Sequence, residues 1–249
     1  MATDLDRQTP DAIAARLSGS PEERAALIRE GAEAGLAEAQ AVYGQMLLDG
    51  EGVARDPPAA LRWFMKAAAQ HHLMALNMVG RCYELGWGTT PDQEKAADCY
   101  RVAAERGLDW AMYNCATSLA LGHGVRENKA AALEWLHAAA ARGSGLARAK
   151  AINFVGSFHE DGWATPRDLR AASRCYAKAA EGGDFRGCFN HARMLGTDGD
   201  VAAALPWLER AASLGNAPFV AKAEAWLAAS DVVAFRTDGV AALLKGARG

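Results

Sequence analysis

Residues 75–107, ALNMVGRCYELGWGTTPDQEKAADCYRVAAERG, form the unit that the rest of the chain repeats. Ala75, Val79 and Tyr83 are spaced four residues apart, which places them on one face of a first helix. The Gly-Trp-Gly sequence at 86–88 ends that helix, because glycine reaches a positive φ without a Cβ penalty. An alanine-rich second helix follows. The segment therefore predicts a helix–loop–helix unit.

Two further signals lie inside this unit. Thr90, Pro91 and Gln93 have the spacing of a capping box with proline at the first helical position, so they predict that Thr90 caps the second helix. Gly80 lies within the first helix, where glycine costs about 1 kcal/mol relative to alanine. A glycine that recurs at this place predicts that another backbone passes close to it.

The unit recurs along the chain at a spacing of about 36 residues. Four loop glycines mark the recurrence: Gly50, Gly86, Gly122 and Gly162. Four small residues stand at the same distance before them: Gly44, Gly80, Ala116 and Gly156. A fifth unit, with a shorter loop, keeps Ala192, Leu195, Ala204 and Trp207. Because a helix pair of this size cannot bury both of its faces alone, we expect neighbouring units to stack.

The recurrence divides the chain into an array with a tail on either side. We expect a tail and a short helix in residues 1–20, and the array over residues 21–229, with a half-repeat at each end. The five complete repeats are expected at about 39–74, 75–110, 111–146, 151–186 and 187–216. Residues 230–249 are expected to form a C-terminal tail with one weak helix around residues 240–245.

The composition excludes several classes of protein. With 27 Lys and Arg against 30 Asp and Glu, the chain carries a formal net charge of −3 and lacks the basic excess of a nucleic-acid-binding protein. The sequence contains no run of about 18 apolar residues, so no membrane span is expected. The N-terminus lacks the pattern of a secretory signal, which predicts a cytoplasmic protein. Five cysteines without metal-type spacing predict free thiols. We expect no cofactor, no metal site and no catalytic residues.

The repeated pattern resembles the Sel1-like repeat, a relative of the tetratricopeptide repeat. The segments AVYGQMLLDGEGVARDPPAALRWFMKAAAQ (41–70) and CATSLALGHGVRENKAAALEWLHAAAARG (115–143) carry the resemblance best. It implies an all-α fold, a right-handed α-α superhelix or solenoid, whose concave groove is lined by the first helices. It also implies an adaptor or scaffold in protein–protein interactions, which binds a peptide or helix of another protein.

By analogy with tetratricopeptide arrays, one face of each first helix lines the groove and binds the partner. The residues that this analogy assigns are Gln45, Met74, Asn77, Arg81, Glu84, Trp110, Tyr113, Thr117, Lys150, Asn153, Ser157, Glu160, Phe189 and Arg193. Asparagines can bond a peptide backbone, arginines can hold carboxylates, and aromatic residues are frequent interface anchors. Replacing Asn77 and Arg81 with alanine is then expected to weaken partner capture without lowering stability. The alternative is a solvated face that also packs neighbouring first helices together.

Other interpretations stay open from the sequence. Trp87 and Trp163 either pack over the start of the following helix or form an exposed pair. Some cysteine-rich Sel1-like proteins are linked to β-lactam binding or hydrolysis, and Cys82 with Cys99 could pair as theirs do, but the other repeats lack such a pair. A cofactor- or small-molecule-binding role is the remaining alternative.

Overall fold

The computed structural model describes residues 9–248, and within this range the chain is helical and contains no strand. Residues 1–8 of the predicted N-terminal tail lie outside the described range. Contacts divide the chain into two units, Met1–Glu127 and Asn128–Gly249. The helices of the first unit are α1 (Pro10–Leu17), α2 (Pro21–Glu33), α3 (Ala37–Asp49), α4 (Pro57–Ala69), α5 (Leu73–Leu85), α6 (Gln93–Glu105) and α7 (Asp109–Leu121).

The predicted half-repeat at the start of the array is present as α2. Ser20 accepts a hydrogen bond from the backbone N–H of Glu23, and the Glu23 carboxylate accepts one from the backbone N–H of Ser20, so a capping box begins this helix. Next come the helix pairs α3–α4 and α5–α6. Their shared core contains Phe64 and Cys82, which are fully buried among small alanine side chains.

Loop glycines end the first helices as predicted. Gly50, Gly86 and Gly122 adopt left-handed conformations, with φ between 70° and 78°. The second glycine of the Gly-x-Gly loop contacts the neighbouring repeat. Gly88 lies against the backbone of Pro57, at the start of α4. A side chain at Gly88 would overlap that backbone. The loop glycines therefore join neighbouring repeats as well as the two helices of one repeat.

The predicted cap of the second helix is wrong by two residues. Helix α6 begins at Gln93, and its N-cap is Asp92, whose side chain accepts a hydrogen bond of 3.0 Å from the backbone N–H of Lys95. Aspartate is the stronger cap because its carboxylate is also stabilised by the helix dipole. The backbone N–H of Asp92 donates to the carbonyl of Tyr83, which fixes the end of the loop to the first helix.

The close approach predicted at Gly80 is made mainly by a side chain rather than by a backbone. A Cβ atom on Gly80 would lie 2.6 Å from Cε1 of Tyr100 and 3.2 Å from the carbonyl oxygen of Ala96. Gly44 faces Phe64 in the same way, with a corresponding distance of 2.8 Å. The glycine of the first helix thus makes room for an aromatic ring of the second.

The second unit begins between the two helices of the third repeat and contains the fourth and fifth repeats. Its helices are α8 (Lys129–Arg142), α9 (Gly145–Asp161), α10 (Leu169–Glu181), α11 (Phe185–Thr197), α12 (Val201–Leu214), α13 (Ala217–Ala228) and α14 (Val240–Gly246), with a π-helical turn at Phe235–Gly239. Helix α9 has 17 residues. Gly122 and Gly162 are 40 residues apart, four more than the usual spacing, and the extra residues add a turn at the N-terminus of this helix. Its loop glycine, Gly162, has a φ of 73°.

The C-terminal segment differs from the predicted tail. The weak helix expected around residues 240–245 is present as α14, but it packs against α12 together with the π-helical turn. Phe235 and Leu243 are fully buried in one core with Leu208 and Leu227. The apolar side chains after Ser230 close the core of this unit, so the segment completes the fold.

Candidate partner-binding surface

The predicted surface residues are placed very unevenly. Asn77 and Asn153 are buried, whereas Met74 is exposed. The remaining candidates are partly buried: in the first unit Gln45, Arg81, Glu84, Trp110, Tyr113 and Thr117, and in the second Lys150, Ser157, Glu160, Phe189 and Arg193. A face in this intermediate state both packs neighbouring repeats and reaches solvent. For the two asparagines, the alternative of a face that packs neighbouring first helices together is the one observed.

The buried asparagines link consecutive first helices within each unit. Asn77, 3% exposed, accepts a hydrogen bond of 2.9 Å on its side-chain oxygen from the side-chain amide of Asn114. Asn153, 8% exposed, accepts one of 3.0 Å from Asn190. Both pairs span the same 37 positions of sequence. These side chains hold α5 to α7 and α9 to α11, which leaves them unsuited to bond a partner's backbone.

Glu160 is the centre of a polar network in the second unit. Its carboxylate accepts hydrogen bonds of 2.7 and 2.6 Å from the guanidinium of Arg193 and one of 2.6 Å from the hydroxyl of Tyr176. Burial by itself would raise the pKa of Glu160, but the hydrogen bonds from Arg193 and Tyr176 outweigh it and lower the pKa below its usual value. Arg193 already holds a carboxylate of its own chain and is not open to a second.

The corresponding positions of the first unit are occupied differently. Tyr100 donates a hydrogen bond of 2.7 Å to Glu84, as Tyr176 does to Glu160. Thr117, which stands 33 residues after Glu84 as Arg193 stands after Glu160, donates its hydroxyl to the carbonyl of Tyr113. No ion pair of the described residues includes Glu84. Arg81 stands one repeat before Thr117, at the same position of its first helix, so the arginine that corresponds to Arg193 lies there.

Arg81 lies over the aromatic ring of Trp87, with its guanidinium carbon 4.9 Å from the ring centre. Trp87 is half-buried and packs against the core that α3, α4 and α5 form in the first unit. In the second unit Trp163 makes an edge contact with Phe158 at 5.6 Å and carries Lys129 over its ring. Each tryptophan is thus half-buried within its own unit.

A cavity of about 480 Å³ opens between the first and second repeats. Its walls come from α3, α5 and the two loops that follow them: Gln45, Leu48, Asp49, Arg55, Met78, Arg81 and Trp87. Of these, Gln45 and Arg81 were predicted. Arg55 was not predicted because it lies in a loop. Asp49 and Met78 were not predicted because they lie next to the helix positions that the analogy selected. This cavity brings predicted site residues together with apolar and charged walls.

Internal bonds order the polar rim of the cavity. The side-chain amide of Gln45 donates a hydrogen bond of 2.6 Å to the carboxylate of Asp49. Arg55 Nε donates one of 3.0 Å to the backbone carbonyl of Leu48. Two arginines and one aspartate give the cavity an excess of positive charge.

An aromatic cluster forms a separate part of the surface in the second unit. Phe189 makes edge contacts with Phe219 at 6.0 Å and with Trp226 at 5.5 Å. Trp226 is 40% exposed, so part of its ring reaches solvent. Phe219 and Trp226 were not among the candidates, because the prediction used only the five complete repeats.

The described residues offer no site for a metal ion, since no three His, Cys, Asp or Glu side chains come together among them. The cysteines are free, and burial raises the pKa of the Cys82 and Cys99 thiols to about 11. Thiols in this state are poor nucleophiles. Within residues 9–248, no helix combines the length and apolar character that crossing a bilayer requires.

Comparison with known proteins identifies the repeats. The sequence model of the Sel1 repeat matches residues 37–72, 73–108, 111–144, 149–184 and 186–216. A search of the curated proteins found no significant match.

Three solved structures illustrate the likeness in fold. A Sel1 repeat protein from Oxalobacter formigenes is 24% identical, with a TM-score of 0.72, over 93% of this chain and 92% of that chain. A protective antigen of uropathogenic Escherichia coli is 23% identical with a TM-score of 0.66, over 95% of this chain and 52% of that one, so this chain spans about half its length. An immunity protein from Pseudomonas aeruginosa is 16% identical with a TM-score of 0.58, over 85% of this chain and 78% of that chain.

The TM-scores show a shared fold, and the α-α superhelix predicted from the sequence is confirmed. The five matched segments cover more than half of the chain, each over one of the helix pairs described above. The chain belongs to the Sel1 repeat family.

Proposed function

We propose that this protein is an adaptor that binds an extended segment or a helix of another protein on the surface of its first helices. Sel1 repeat proteins are generally protein-interaction scaffolds, and the family is generally non-enzymatic. The proposal adds the place of binding, which is the cavity between the first two repeats and the partly buried face beside it.

The cavity is the observation that supports this assignment. Its volume lies in the range of known ligand pockets. It combines an arginine stacked on a tryptophan with the apolar side chains of Leu48 and Met78. Arginine and tryptophan are the residue types most enriched among binding hot spots. Within the second unit, the partly exposed ring of Trp226 offers a further apolar contact for a partner.

No observation favours the β-lactam hydrolase or the cofactor-binding alternative. Hydrolysis through a cysteine would need a reactive thiolate, whereas the thiols of Cys82, Cys115 and Cys188 are buried and have a pKa raised to about 11 by that burial.

Site-specific photocrosslinking in the native cell tests the proposal. A photoreactive phenylalanine analogue replaces Gln45 or Met78 in the cavity, and a matched control replaces Met65, an exposed side chain of α4. We expect covalent adducts of the same partner from both cavity positions and none from Met65. Adducts from Met65 alone would place the binding surface on the second helices and contradict the proposal.

A further inference from the structure

Arg81 and Arg193 stand at the same position of the first helix in their repeats. The pairing of Glu160 with Arg193 shows what an arginine at this position does. Glu160 belongs to α9 and Arg193 to the next first helix, α11, and 33 residues separate them. The two ends of the guanidinium bond the two oxygens of the carboxylate, at 2.7 and 2.6 Å. Such a two-pronged pair is stronger and more directional than a single charged hydrogen bond. The second unit thus contains a complete carboxylate-holding site, filled by its own glutamate.

Arg81 occupies the same repeat position in the first unit, but no acidic residue stands where its ion-pair partner would be. The residue 33 positions earlier, where Glu160 stands relative to Arg193, is Leu48. Among residues 9–248, no acidic side chain forms an ion pair with Arg81, and its guanidinium lies on the ring of Trp87 instead. Stacking on an aromatic ring holds a guanidinium in place and leaves its N–H groups available at the edge.

The surroundings of Arg81 are suited to a carboxylate that arrives with an apolar neighbour. The cavity holds two cations, Arg55 and Arg81, against one anion, Asp49, and Asp49 already accepts a hydrogen bond from Gln45. Leu48, Met78 and Trp87 form its apolar wall. A partly buried charge pair contributes more to binding than a fully exposed one, because less water screens it.

We propose that Arg81 binds an aspartate or glutamate side chain of the partner protein, next to an apolar partner side chain that lies on Leu48, Met78 and Trp87. This inference rests on the proposed function and names its partner chemistry: an acidic and apolar peptide segment. In the first unit, the partner's carboxylate pairs with Arg81 as Glu160 pairs with Arg193 in the second unit.

Peptide display on the intact protein tests this. A library of random twelve-residue peptides, fused at their C-termini so that no terminal carboxylate is free, is selected on the protein. Selected peptides are then synthesised in two forms, with each acidic residue kept or replaced by its amide. We expect one acidic position beside Leu, Met or an aromatic residue, and a loss of about tenfold or more in affinity when that acid is neutralised.

Three variants locate the effect. In Arg81→Gln, neutralising the peptide acid should change the affinity by less than about twofold, whereas Arg62→Gln, an exposed change on α4, should behave as wild type. Leu48→Glu supplies the missing internal acid and should abolish binding of acidic peptides. Leu48→Gln, its uncharged match, should bind more tightly than Leu48→Glu.

The outcomes separate the two proposals. Peptides that bind in the cavity without any acidic preference, or that keep this preference in Arg81→Gln, overturn the inference and leave the adaptor surface standing. Binding that appears only with a second library of free C-termini also overturns it, since the acid is then the chain terminus. Absence of any peptide bound at the cavity, together with crosslinks from Met65 alone, overturns both.

Discussion

Tyr100 fills the space that a side chain at Gly80 would need. A Cβ atom at Gly80 would lie 2.6 Å from the ring of Tyr100, and Tyr176 stands at the same distance from Gly156. In the fifth repeat, the corresponding columns hold Ala192 and Leu208, which belong to one core. The larger residue in the first helix is thus matched by a smaller one in the second.

This matching predicts the effect of filling the glycine. Gly80→Ala should lower the free energy of unfolding by about 1–3 kcal/mol, because the new methyl group displaces the ring of Tyr100. Adding Tyr100→Leu should recover part of the loss, since the pair then resembles Ala192 and Leu208. Urea denaturation of the two single variants and the double variant measures this. Additive losses would show that the two positions do not compete for space.

Removing the buried amide at Asn77 should destabilise the first unit. Asn77→Ala leaves the amide of Asn114 without its acceptor and is expected to cost about 1–3 kcal/mol of unfolding free energy. Asn77→Ala with Asn114→Ala should cost less than the sum of the single changes. Thermal and urea unfolding test this, with Gln45→Ala as a control whose effect stays within about 0.5 kcal/mol. An unchanged midpoint for Asn77→Ala would instead support the sequence-based expectation of a free groove residue.

The Glu160 network predicts a specific response to acid. Because the pKa of Glu160 is lower in the folded protein than in the unfolded chain, its stabilising effect is complete above the unfolded pKa of about 4.3 and is lost as the pH falls through the folded pKa. The melting temperature of the wild type should therefore fall more steeply below about pH 5 than that of Glu160→Gln. Parallel curves for the two proteins would contradict the role given to this carboxylate.

The C-terminal segment should be required for a stable second unit. Phe235 is fully buried, and Phe235→Ala is expected to cost about 3–5 kcal/mol of unfolding free energy, with rapid proteolysis after Ser230. Val233→Ala provides the control in the same segment, because Val233 is 71% exposed. Equal protease resistance of the two variants would show that the segment behaves as the tail expected from sequence.

The repeat skeleton could be predicted because its signals are local and recur. A left-handed glycine such as Gly86 ends the first helix wherever it occurs, and small residues such as Ala96 mark the close helix contact. The cap at Asp92 was missed because Thr90 and Asp92 are both good capping residues, and the capping-box spacing of Thr90 with Gln93 favoured the wrong one. The choice depends on where the backbone of Asp92 meets the carbonyl of Tyr83.

The surface was harder to predict because it depends on contacts between repeats. Helix periodicity places each residue on a face of its own helix only, so Asn77 was expected at the surface, because its partner, Asn114, lies 37 residues away on another helix. The same periodicity could not distinguish Arg81 from Arg193. Their difference lies in the residue 33 positions before each, Leu48 in one case and Glu160 in the other.

The two asparagine pairs also limit how this array can be rearranged. Asn77 needs the asparagine of the following repeat, and Asn153 needs Asn190 in the same way. Deleting the third repeat, or exchanging it for the first, second or fourth, would place Val42, Met78 or Phe154 where Asn114 stands and leave a buried amide oxygen unbonded, at about 1–3 kcal/mol. The repeats are therefore not freely interchangeable modules: within each unit, a buried hydrogen bond requires an asparagine at one position of the repeat that follows.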